Sequence, residues 1–292
     1  MKLIMTLLAR DADDLIGSNL EFHLRAGVDR FIVMDNLSTD GTREILREYE
    51  RQGLVTYIHQ PEDTFSQARW VTGMARRAYD DGADWVINND ADEFWYPTGG
   101  DLKDVLSEVS PAYDAVGIER SHFVPRRLAA GDFFAEALTV RFRALFDPNG
   151  KPWPGKVCHR AHPDIEVGYG NHSASIGGRE LPTTHAAIEI LHFPIRSYEK
   201  FERTVVNGGM ANARNPDRPV KRWQELYELW QRGELRAYYD AQTADAGAIE
   251  AGLRDGRYVV DERLKQDLAG GPRHGSASPS ASRTNRTQPG PG

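Results

Sequence analysis

Short runs of apolar residues alternate with amphipathic stretches over the first ninety residues of the chain. Four of these runs have the length of a β-strand, and they lie at residues 3–8, 31–34, 54–58 and 85–87. Between the runs, apolar residues recur every three or four positions, as they do on one face of a helix. Strands that alternate with helices predict crossover connections, so we expect a mostly parallel central sheet flanked by helices, the α/β class.

The regularity weakens after residue 96. Strands are predicted at residues 114–118 and 138–146, whereas residues 148–182 are rich in Gly, Pro and His and show little periodicity. A helical pattern returns at Ser197, and residues 269–292 hold Gly, Pro and Ser in quantity, which predicts a disordered tail.

Composition narrows the functional classes. The chain has 292 residues, 40% of them hydrophobic, and a net charge of −7, so it has ample material for a core and no electrostatic signature of general nucleic acid or anionic membrane binding. No apolar run approaches the roughly 18 residues of a membrane span, and the run that ends at Ala9 is a strand rather than a leader. The single cysteine, Cys158, fits a reducing compartment and predicts a cytoplasmic protein.

An acidic turn, Asp90-Ala91-Asp92-Glu93, directly follows the fourth apolar run. Ligands of parallel α/β sheets bind at the carboxyl ends of strands, and residues i and i+2 of an extended segment share a face. Asp90 and Asp92 are therefore candidate ligands of a hard divalent cation. Spacing alone does not decide this, because Asp11-Ala12-Asp13 has the same pattern and is interpreted as the cap and first turn of a helix.

A second polar turn, residues 34–42, leaves the second strand and enters a helix. Its Ser, Thr, Asp and Gly residues are typical of a helix cap. Capping does not explain Asp35 and Asn36 at the end of the strand, and we expect these two side chains to face the base or ribose of a nucleotide.

These turns are part of an ordered set of motifs that resembles the family 2 glycosyltransferases, in the branch with an ARNE-like opening and a DNxSxDGT turn. The similarity is strongest over the first hundred residues and weaker as far as residue 197. The residues that carry it are Leu8-Ala9-Arg10, Asn19-Leu20-Glu21-Phe22-His23, Gly27-Val28-Asp29, Asp35–Thr42, Asn89–Phe94, Lys156, Arg160, Gly170-Asn171-His172 and Leu191–Ser197.

The resemblance implies a GT-A fold, a nucleoside diphosphate sugar donor, inversion at the anomeric carbon and a Mg²⁺ or Mn²⁺ ion. Asp35 and Asn36 would face the base, Asp90 the ribose and the metal, and Asp92 would ligate the metal. Further substrate-binding candidates are Arg10, Arg69, Lys156 and Arg196. The chain departs from the family at Asp11, Asn36 and Leu37, and it has no clear ED or QxxRW motif, so the family pattern does not identify a catalytic base.

His192 is a candidate third metal ligand. It ends a short apolar strand and precedes Arg196, Ser197 and Lys200, where Ser197 would cap a helix whose N-terminus suits a diphosphate. The alternative is a histidine packed at a strand end beside a solvated basic helix.

A polar cluster in the irregular segment supplies candidates for the base that deprotonates the acceptor. His159, His162, His172, Asp164 and Glu166 lie there, and we take Asp164 and His172 as the candidates. The alternative is an ordinary polar surface loop.

We therefore expect a glycosyltransferase that moves a sugar from a UDP- or GDP-linked donor to a glycan or other hydroxyl acceptor. The chain would comprise a nucleotide-sugar-binding half (residues 1–95), an acceptor-binding half (96–196), C-terminal helices (197–268) and the tail. A metal-dependent nucleotidyltransferase and a catalytically silent nucleotide-sugar-binding module remain open alternatives. The sequence predicts no oligomeric state.

Overall fold

The four apolar runs and the stretches between them form the first strands and helices of the structure, a computed structural model that describes residues 1–64, 66–128, 131–146, 150–215 and 220–270. These elements confirm the predicted alternation. They are β1 (Leu3–Ala9), α1 (Ile16–Arg25), β2 (Arg30–Asp35), α2 (Thr42–Arg51), β3 (Val55–His59), α3 (Gln67–Asp80) and β4 (Trp85–Asp90).

The middle of the chain consists mostly of short strands. Its elements are β5 (Glu93–Pro97), α4 (Leu102–Ser107), β6 (Ala115–Ile118), β7 (Arg120–His122), α5 (Phe134–Ala137), β8 (Val140–Phe142), β9 (Lys156–Arg160), β10 (Ile165–Val167), a 3-10 helix (Tyr169–Asn171), β11 (Ala174–Ile176), β12 (Arg179–Glu180), β13 (Thr183–Thr184) and β14 (Ile188–His192). The last part is helical, as predicted. It contains α6 (Tyr198–Ala213), α7 (Lys221–Gln231), α8 (Leu235–Gln242), α9 (Ala246–Arg254), β15 (Tyr258–Val260) and α10 (Arg263–Ala269).

Seven strands form the central sheet in the order β13-β6-β9-β4-β1-β2-β3. The neighbours β4, β1, β2 and β3 run parallel, and β9 is antiparallel to both β4 and β6. Two three-stranded sheets, β10-β11-β12 and β5-β14-β7, and the pair β15-β8 complete the β-structure of the described residues. The predicted α/β architecture, a mostly parallel central sheet flanked by helices, is confirmed.

The alternation of side chains along each central strand divides the core between the two faces of the sheet. Leu3, Met5 and Leu7 of β1 pack on one face, together with α1 and α2, whereas Ile4 packs on the other face with α3. Because both faces are covered by helices, the parallel strands are apolar on both sides, which explains why they appear in the sequence as continuous apolar runs.

The interpretation of residues 148–182 as irregular is wrong for part of the segment. It contains β9, which lies within the central sheet, and the small sheet β10-β11-β12. The strand β9 gives no apolar signal because it buries Lys156 and His159, which are 1% and 0% exposed, beside Cys158. The strand predicted at 138–146 is shorter, since β8 ends at Phe142.

Helix α6 packs against α7 through two adjacent glycines. A Cβ atom at Gly208 would lie 2.9 Å from the Trp223 ring, and one at Gly209 would overlap Tyr227. The two helices thus approach more closely than larger residues would permit. None of the helices in the described ranges is long and apolar enough to cross a membrane. The disordered tail predicted for residues 269–292 lies outside the described residues from 271 onward.

Candidate functional site

The polar turns predicted to form the site meet at one edge of the central sheet. In the parallel register Leu8 of β1 lies beside Asp90 of β4, and Ala9 lies beside Asp35 of β2. The turns that follow these three strands therefore emerge at the same edge, where parallel α/β sheets bind their ligands. The structure thus brings the acidic turn, residues 90–93, and the turn after β2 to the same end of the sheet.

Backbone strain is concentrated in the same region. Among the described non-glycine residues, positive φ values occur at Asp11 (52°), Leu37 (61°) and Asn171 (58°). Asp11 and Leu37 follow β1 and β2, and the side-chain amide of Asn171 donates to Asp90 Oδ1 at 3.3 Å. Such conformations carry an energetic cost and cluster at sites where the surrounding structure enforces a particular geometry.

Asp90 ends β4 with both of its carboxylate oxygens engaged. Oδ2 pairs with the ammonium of Lys156, and Oδ1 accepts hydrogen bonds from Asn171 and, at 3.5 Å, from the side-chain amide of Gln67. Gln67 in turn accepts the backbone N–H of Gly170 at 3.2 Å. Asp90 therefore ties β9, α3 and the 3-10 helix together beneath the site.

Lys156 is a buried cation between two carboxylates. Its ammonium contacts Asp90 and lies 3.2 Å from Glu93 Oε1, and Glu93 also accepts from Arg120 at 3.0 Å. Burial alone would lower the pKa of Lys156, but Asp90 and Glu93 outweigh it and raise the pKa above its ordinary value, so the side chain is charged. Lys156 is only 1% exposed and faces these two acids. Instead of the predicted binding of substrate, the structure gives it an internal role as the counter-charge of Asp90 and Glu93.

Asp92 and His192 lie side by side, as predicted. His192 is paired with Glu93 where β14 meets β5, and its Nε2 lies 3.5 Å from Asp92 Oδ2. Burial tends to raise the pKa of Asp92, but His192, Arg196 and Lys156 outweigh it and hold the pKa well below its usual range. Asp92 is thus a carboxylate at neutral pH.

His122 and Trp153 lie next to His192. The Nδ1 atoms of His122 and His192 are 3.1 Å apart, and the Trp153 ring lies against His122 with a centroid separation of 4.0 Å. His122 is 9% exposed and its Nε2 has no hydrogen-bond partner in the described structure. Trp153 is half-buried, so part of its aromatic ring remains exposed beside His122.

The three-ligand metal set predicted from the sequence is not assembled. Within the described ranges, no group of three His, Cys, Asp or Glu side chains converges as metal ligands do. The reason is that Asp90 pairs with Lys156, whereas Asp92 turns toward His192. The pair that remains as candidate ligands is Asp92 and His192.

Asp35 and Asn36 are at the predicted edge but make internal contacts. Asp35 is 0% exposed; Oδ1 accepts the backbone N–H of Ser38 at 3.0 Å and Oδ2 accepts the hydroxyl of Tyr57 at 2.7 Å. Burial alone would raise the pKa of Asp35, but the hydrogen bonds that its carboxylate accepts outweigh burial, so the pKa lies below its ordinary value. Asn36 is 4% exposed and donates to the backbone carbonyl of Glu62 at 2.7 Å. Both side chains shape the turn, and contact with a base stays a prediction.

The two predicted substrate-binding arginines on this side are paired with acids of the loop after β3. Arg10 donates to Asp63 at 2.7 Å, and Arg69 donates to Glu62 at 2.7 Å. Asp63 also pairs with Arg214 at the end of α6. The three ion pairs link Glu62 and Asp63 of this loop to the residue after β1, to α3 and to the end of α6.

The interpretation of Asp11 and Asp13 as helix-capping residues is wrong. Helix α1 begins at Ile16 with no side-chain cap and no acid in its first turn. Asp11 Oδ1 instead accepts the backbone N–H of Thr39 at 2.7 Å, and Asp13 pairs with Lys200 of α6. These acids join the loop after β1 to its neighbours.

The basic cluster after β14 is present where the sequence predicts it. Ser197 caps α6 by accepting the backbone N–H of Lys200 at 3.2 Å. Arg196 donates to Asp14 at 2.6 Å and its charge acts on Asp92. Arg196 also donates through Nη1 to the carbonyl of Phe193 at 3.1 Å, and its role in binding substrate stays a prediction.

The two candidates for the catalytic base lie at opposite ends of the sheet. His172 adjoins the site, since its Nδ1 contacts the carbonyl of Gly155 and Asn171 precedes it. Asp164 follows the end of β9, where Arg160 lies beside Trp85 at the start of β4. Asp164 is therefore near the edge opposite Asp90, and its prediction as the base is set aside.

Three site residues were missed from the sequence. Glu93 and Arg120 form a buried ion pair, and His122 contacts His192. The place of Glu93 in the acidic turn was the signal that could have identified it, but the motif alone assigned it no role. Arg120 and His122 alternate along a three-residue strand, too short to give a periodic signal.

Residues 10–124 match the model of glycosyltransferase family 92. The matched segment holds the acidic turn and the turn after β2, and it spans less than half of the chain. This match supports the predicted enzyme class, a glycosyltransferase, and the family 2 branch stays a prediction. No curated protein matches the chain.

Solved structures give distant likenesses. A structure of S. aureus TarS residues 1–349 in complex with UDP has 15% identity and a TM-score of 0.41 over 73% of this chain and 65% of that one. A glucosyl-3-phosphoglycerate synthase from Mycobacterium tuberculosis, in complex with Mn²⁺, UDP and phosphoglyceric acid, has 14% identity and a TM-score of 0.32 over 55% and 56%. The chain spans 39% of a longer TarS structure. With TM-scores this low, these likenesses carry no argument about this chain.

Proposed function

We propose that this protein transfers a sugar from a nucleoside diphosphate sugar, linked to UDP or GDP, to a hydroxyl group of a glycan or other acceptor. The observation that carries the proposal is the position of Asp92. It lies beside His192 and Arg196 at the ligand-binding edge of the parallel sheet, within the segment that matches a glycosyltransferase model. A carboxylate next to a histidine and an arginine at this edge suits a site where a diphosphate leaves.

A divalent cation, Mg²⁺ or Mn²⁺, fits part of this site. Asp92 supplies a charged oxygen, and His192 supplies an imidazole nitrogen 3.5 Å away. Mg²⁺ is commonly bound by one or two carboxylates together with substrate phosphates and water, so two protein ligands are sufficient. Bound there, the ion would act as a Lewis acid that neutralises charge on the leaving diphosphate.

The remaining charged residues would divide the work of binding and support. Arg196, next to the acidic turn, would contact the diphosphate, and Arg10 would adjoin the nucleotide at the end of β1. Lys156 would keep Asp90 and Glu93 in place from below. The acceptor hydroxyl would attack the anomeric carbon in line with the departing diphosphate and lose its proton to a base, for which His172 remains the candidate at the site. Inversion at that carbon and a cytoplasmic location belong to the proposal.

The experiment is a donor-cleavage assay with Asp92→Asn and a matched control, Asp164→Asn. Purified protein is incubated with a panel of UDP- and GDP-sugars and Mn²⁺, and release of nucleoside diphosphate is measured. We expect the wild type and Asp164→Asn to cleave the same donor at equal rates. Asp92→Asn should lose at least about a hundredfold in kcat and should still fold, with a lower unfolding midpoint because the ionised carboxylate that His192 and Arg196 stabilise is removed.

Product analysis separates the proposal from its alternatives. Free nucleoside diphosphate supports sugar transfer, whereas pyrophosphate from a nucleoside triphosphate and a sugar phosphate would establish a nucleotidyltransferase. Donor binding without cleavage across the panel would favour a silent binding module. Full activity of Asp92→Asn would refute the assignment of the site.

A further inference from the structure

Helix α1 carries two polar side chains on the face that it turns toward the core. Asn19 and His23 are four residues apart, and both are 0% exposed. On that face they sit among apolar residues such as Leu20 and Phe22. Buried polar groups are almost always hydrogen-bonded, so the question is where their partners lie. They lie in the acidic turn and in β5.

The strand β5 has one open edge, because it is the outer strand of the β5-β14-β7 sheet. Asn19 and His23 fill that edge. The Asn19 amide donates to the carbonyl of Ala91 at 3.0 Å and to that of Glu93 at 2.9 Å, and His23 Nε2 accepts the backbone N–H of Trp95 at 3.0 Å. Side chains of α1 thus satisfy backbone groups that a neighbouring strand would otherwise satisfy.

A second layer of hydrogen bonds fixes Asn19 itself. Its Oδ1 accepts from the amide of Asn89 at 3.1 Å, and Asn89 Oδ1 accepts the indole N–H of Trp95 at 3.0 Å. His23 donates through Nδ1 to the Asn19 carbonyl at 2.8 Å, since its Nε2 is occupied as an acceptor. Burial lowers the pKa of His23 to about 3, so the ring is neutral at pH 7 and holds this tautomer.

The two carbonyls that Asn19 binds flank Asp92 on either side. We propose that Asn19 is a positioning residue that fixes the Asp92 carboxylate by holding the peptide groups on both sides of it, with His23 and Asn89 holding Asn19. The inference rests on the proposed function for its catalytic consequence. Positioning matters because small displacements of a catalytic group cost large factors in rate.

The chain offers a matched control in the adjacent residue of β4. Asn88 is also 0% exposed, but it points to the opposite face of the sheet, where it accepts from the Thr6 hydroxyl at 2.7 Å and donates to His159 Nε2 at 3.0 Å. Replacing Asn88 therefore removes a buried asparagine whose side chain makes two hydrogen bonds, without removing a bond to the acidic turn.

The experiment compares Asn19→Leu with Asn88→Leu, because leucine has about the size of asparagine and no hydrogen-bonding group. Three measurements are made on each full-length variant: the thermal unfolding midpoint, hydrogen exchange of the peptide that covers residues 90–95, and kcat and KM for donor cleavage well below the midpoint. Asn19→Ser, which keeps one donor, is the milder second variant if Asn19→Leu does not fold.

We expect both leucine variants to unfold at lower temperature. Only the Asn19 variants should accelerate exchange in residues 90–95, by about tenfold or more, and lower kcat of the folded protein by a similar factor. Unchanged exchange and kcat in the Asn19 variants, or equal changes in Asn88→Leu, would overturn the proposal. If the wild type cleaves no donor, the proposed function fails, while the exchange data still decide whether Asn19 holds the turn.

Discussion

Replacing Lys156 with methionine tests how much the buried ammonium group stabilises the acidic turn. Methionine retains most of the apolar stem of lysine and removes the ammonium. In the structure that ammonium contacts Asp90 and lies 3.2 Å from Glu93 Oε1. Glu93 is 0% exposed, so the substitution leaves it with Arg120, at 3.0 Å, and with His192 Nε2, at 4.0 Å.

The size of the effect follows from the burial of both partners. Removing one member of a buried ion pair costs about 3–5 kcal/mol, because the other charge stays behind without compensation. Arg120 neutralises part of the charge on Glu93, so we expect the lower end of that range, about 3 kcal/mol. For a protein of this length each kcal/mol lowers the unfolding midpoint by about 2–4 °C, which gives a decrease of about 6–12 °C.

The assay is urea unfolding of Lys156→Met, Glu93→Gln and the double variant, monitored by circular dichroism at pH 7 and pH 5. The double variant should be more stable than the sum of the single effects predicts, since it leaves no unpaired Glu93 charge. Burial raises the pKa of Glu93, and loss of Lys156 raises it further. A group with a raised folded pKa loses its stabilisation as the pH increases, so the deficit of Lys156→Met should shrink at pH 5. A cost below about 1 kcal/mol, or strict additivity, would refute the reasoning.

Two further predictions concern stability away from Asp92. Burial lowers the pKa of His23 to about 3 and that of His159 to about 4, from 6.5. As the pH falls, these two histidines therefore bind protons in the unfolded chain before they do so in the folded protein. The contribution of the two neutral histidines to the free energy of unfolding should be fully present above pH 6.5 and should decrease toward pH 4, by up to about 1.4 kcal/mol per pH unit for each histidine. Urea midpoints that do not change over this range would contradict the assignment of both rings as neutral. Gly209→Ala should destabilise the protein by about 1–3 kcal/mol because a Cβ there overlaps Tyr227. The control Gly73→Ala, in an exposed helical position with nothing within 4 Å of the new Cβ, should stabilise it by about 0.5–1 kcal/mol, and equal thermal shifts in the two variants would exclude a steric cause.

The first ninety residues could be predicted from the sequence because both faces of the parallel sheet are covered. A strand buried on both sides appears as an uninterrupted apolar run, and a helix packed on one side appears as a repeat of three and four. Strand β4 shows the limit of this signal. Its apolar run stops at Ile87, but the strand continues through Asn88 and Asn89 to Asp90, because these polar side chains find buried partners that only the folded chain supplies.

The part of the site that could not be predicted depends on contacts between distant segments. Lys156 and Asp90 are 66 residues apart, and β9 has no apolar pattern because polar side chains fill its buried positions. The same holds for Asn19, whose partners in the acidic turn, Ala91 and Glu93, are more than 70 residues away. Two polar residues at i and i+4 on the apolar face of α1 were a visible signal for buried hydrogen bonding, but the sequence did not specify the partner.

The acidic turn places three carboxylates within four residues, and the structure treats each of them differently. Glu93 is neutralised internally by Lys156 and Arg120, and Asp90 by Lys156 together with the amides of its neighbours. Asp92 makes the longer contact of 3.5 Å to His192, with 27% of its side chain exposed. A cation that enters from solvent therefore meets a site in which two of the three negative charges are already balanced. This is why we propose one carboxylate and one histidine, rather than a pair of aspartates, as the ligands, and why displacing Asp92 should affect activity far more than it affects folding.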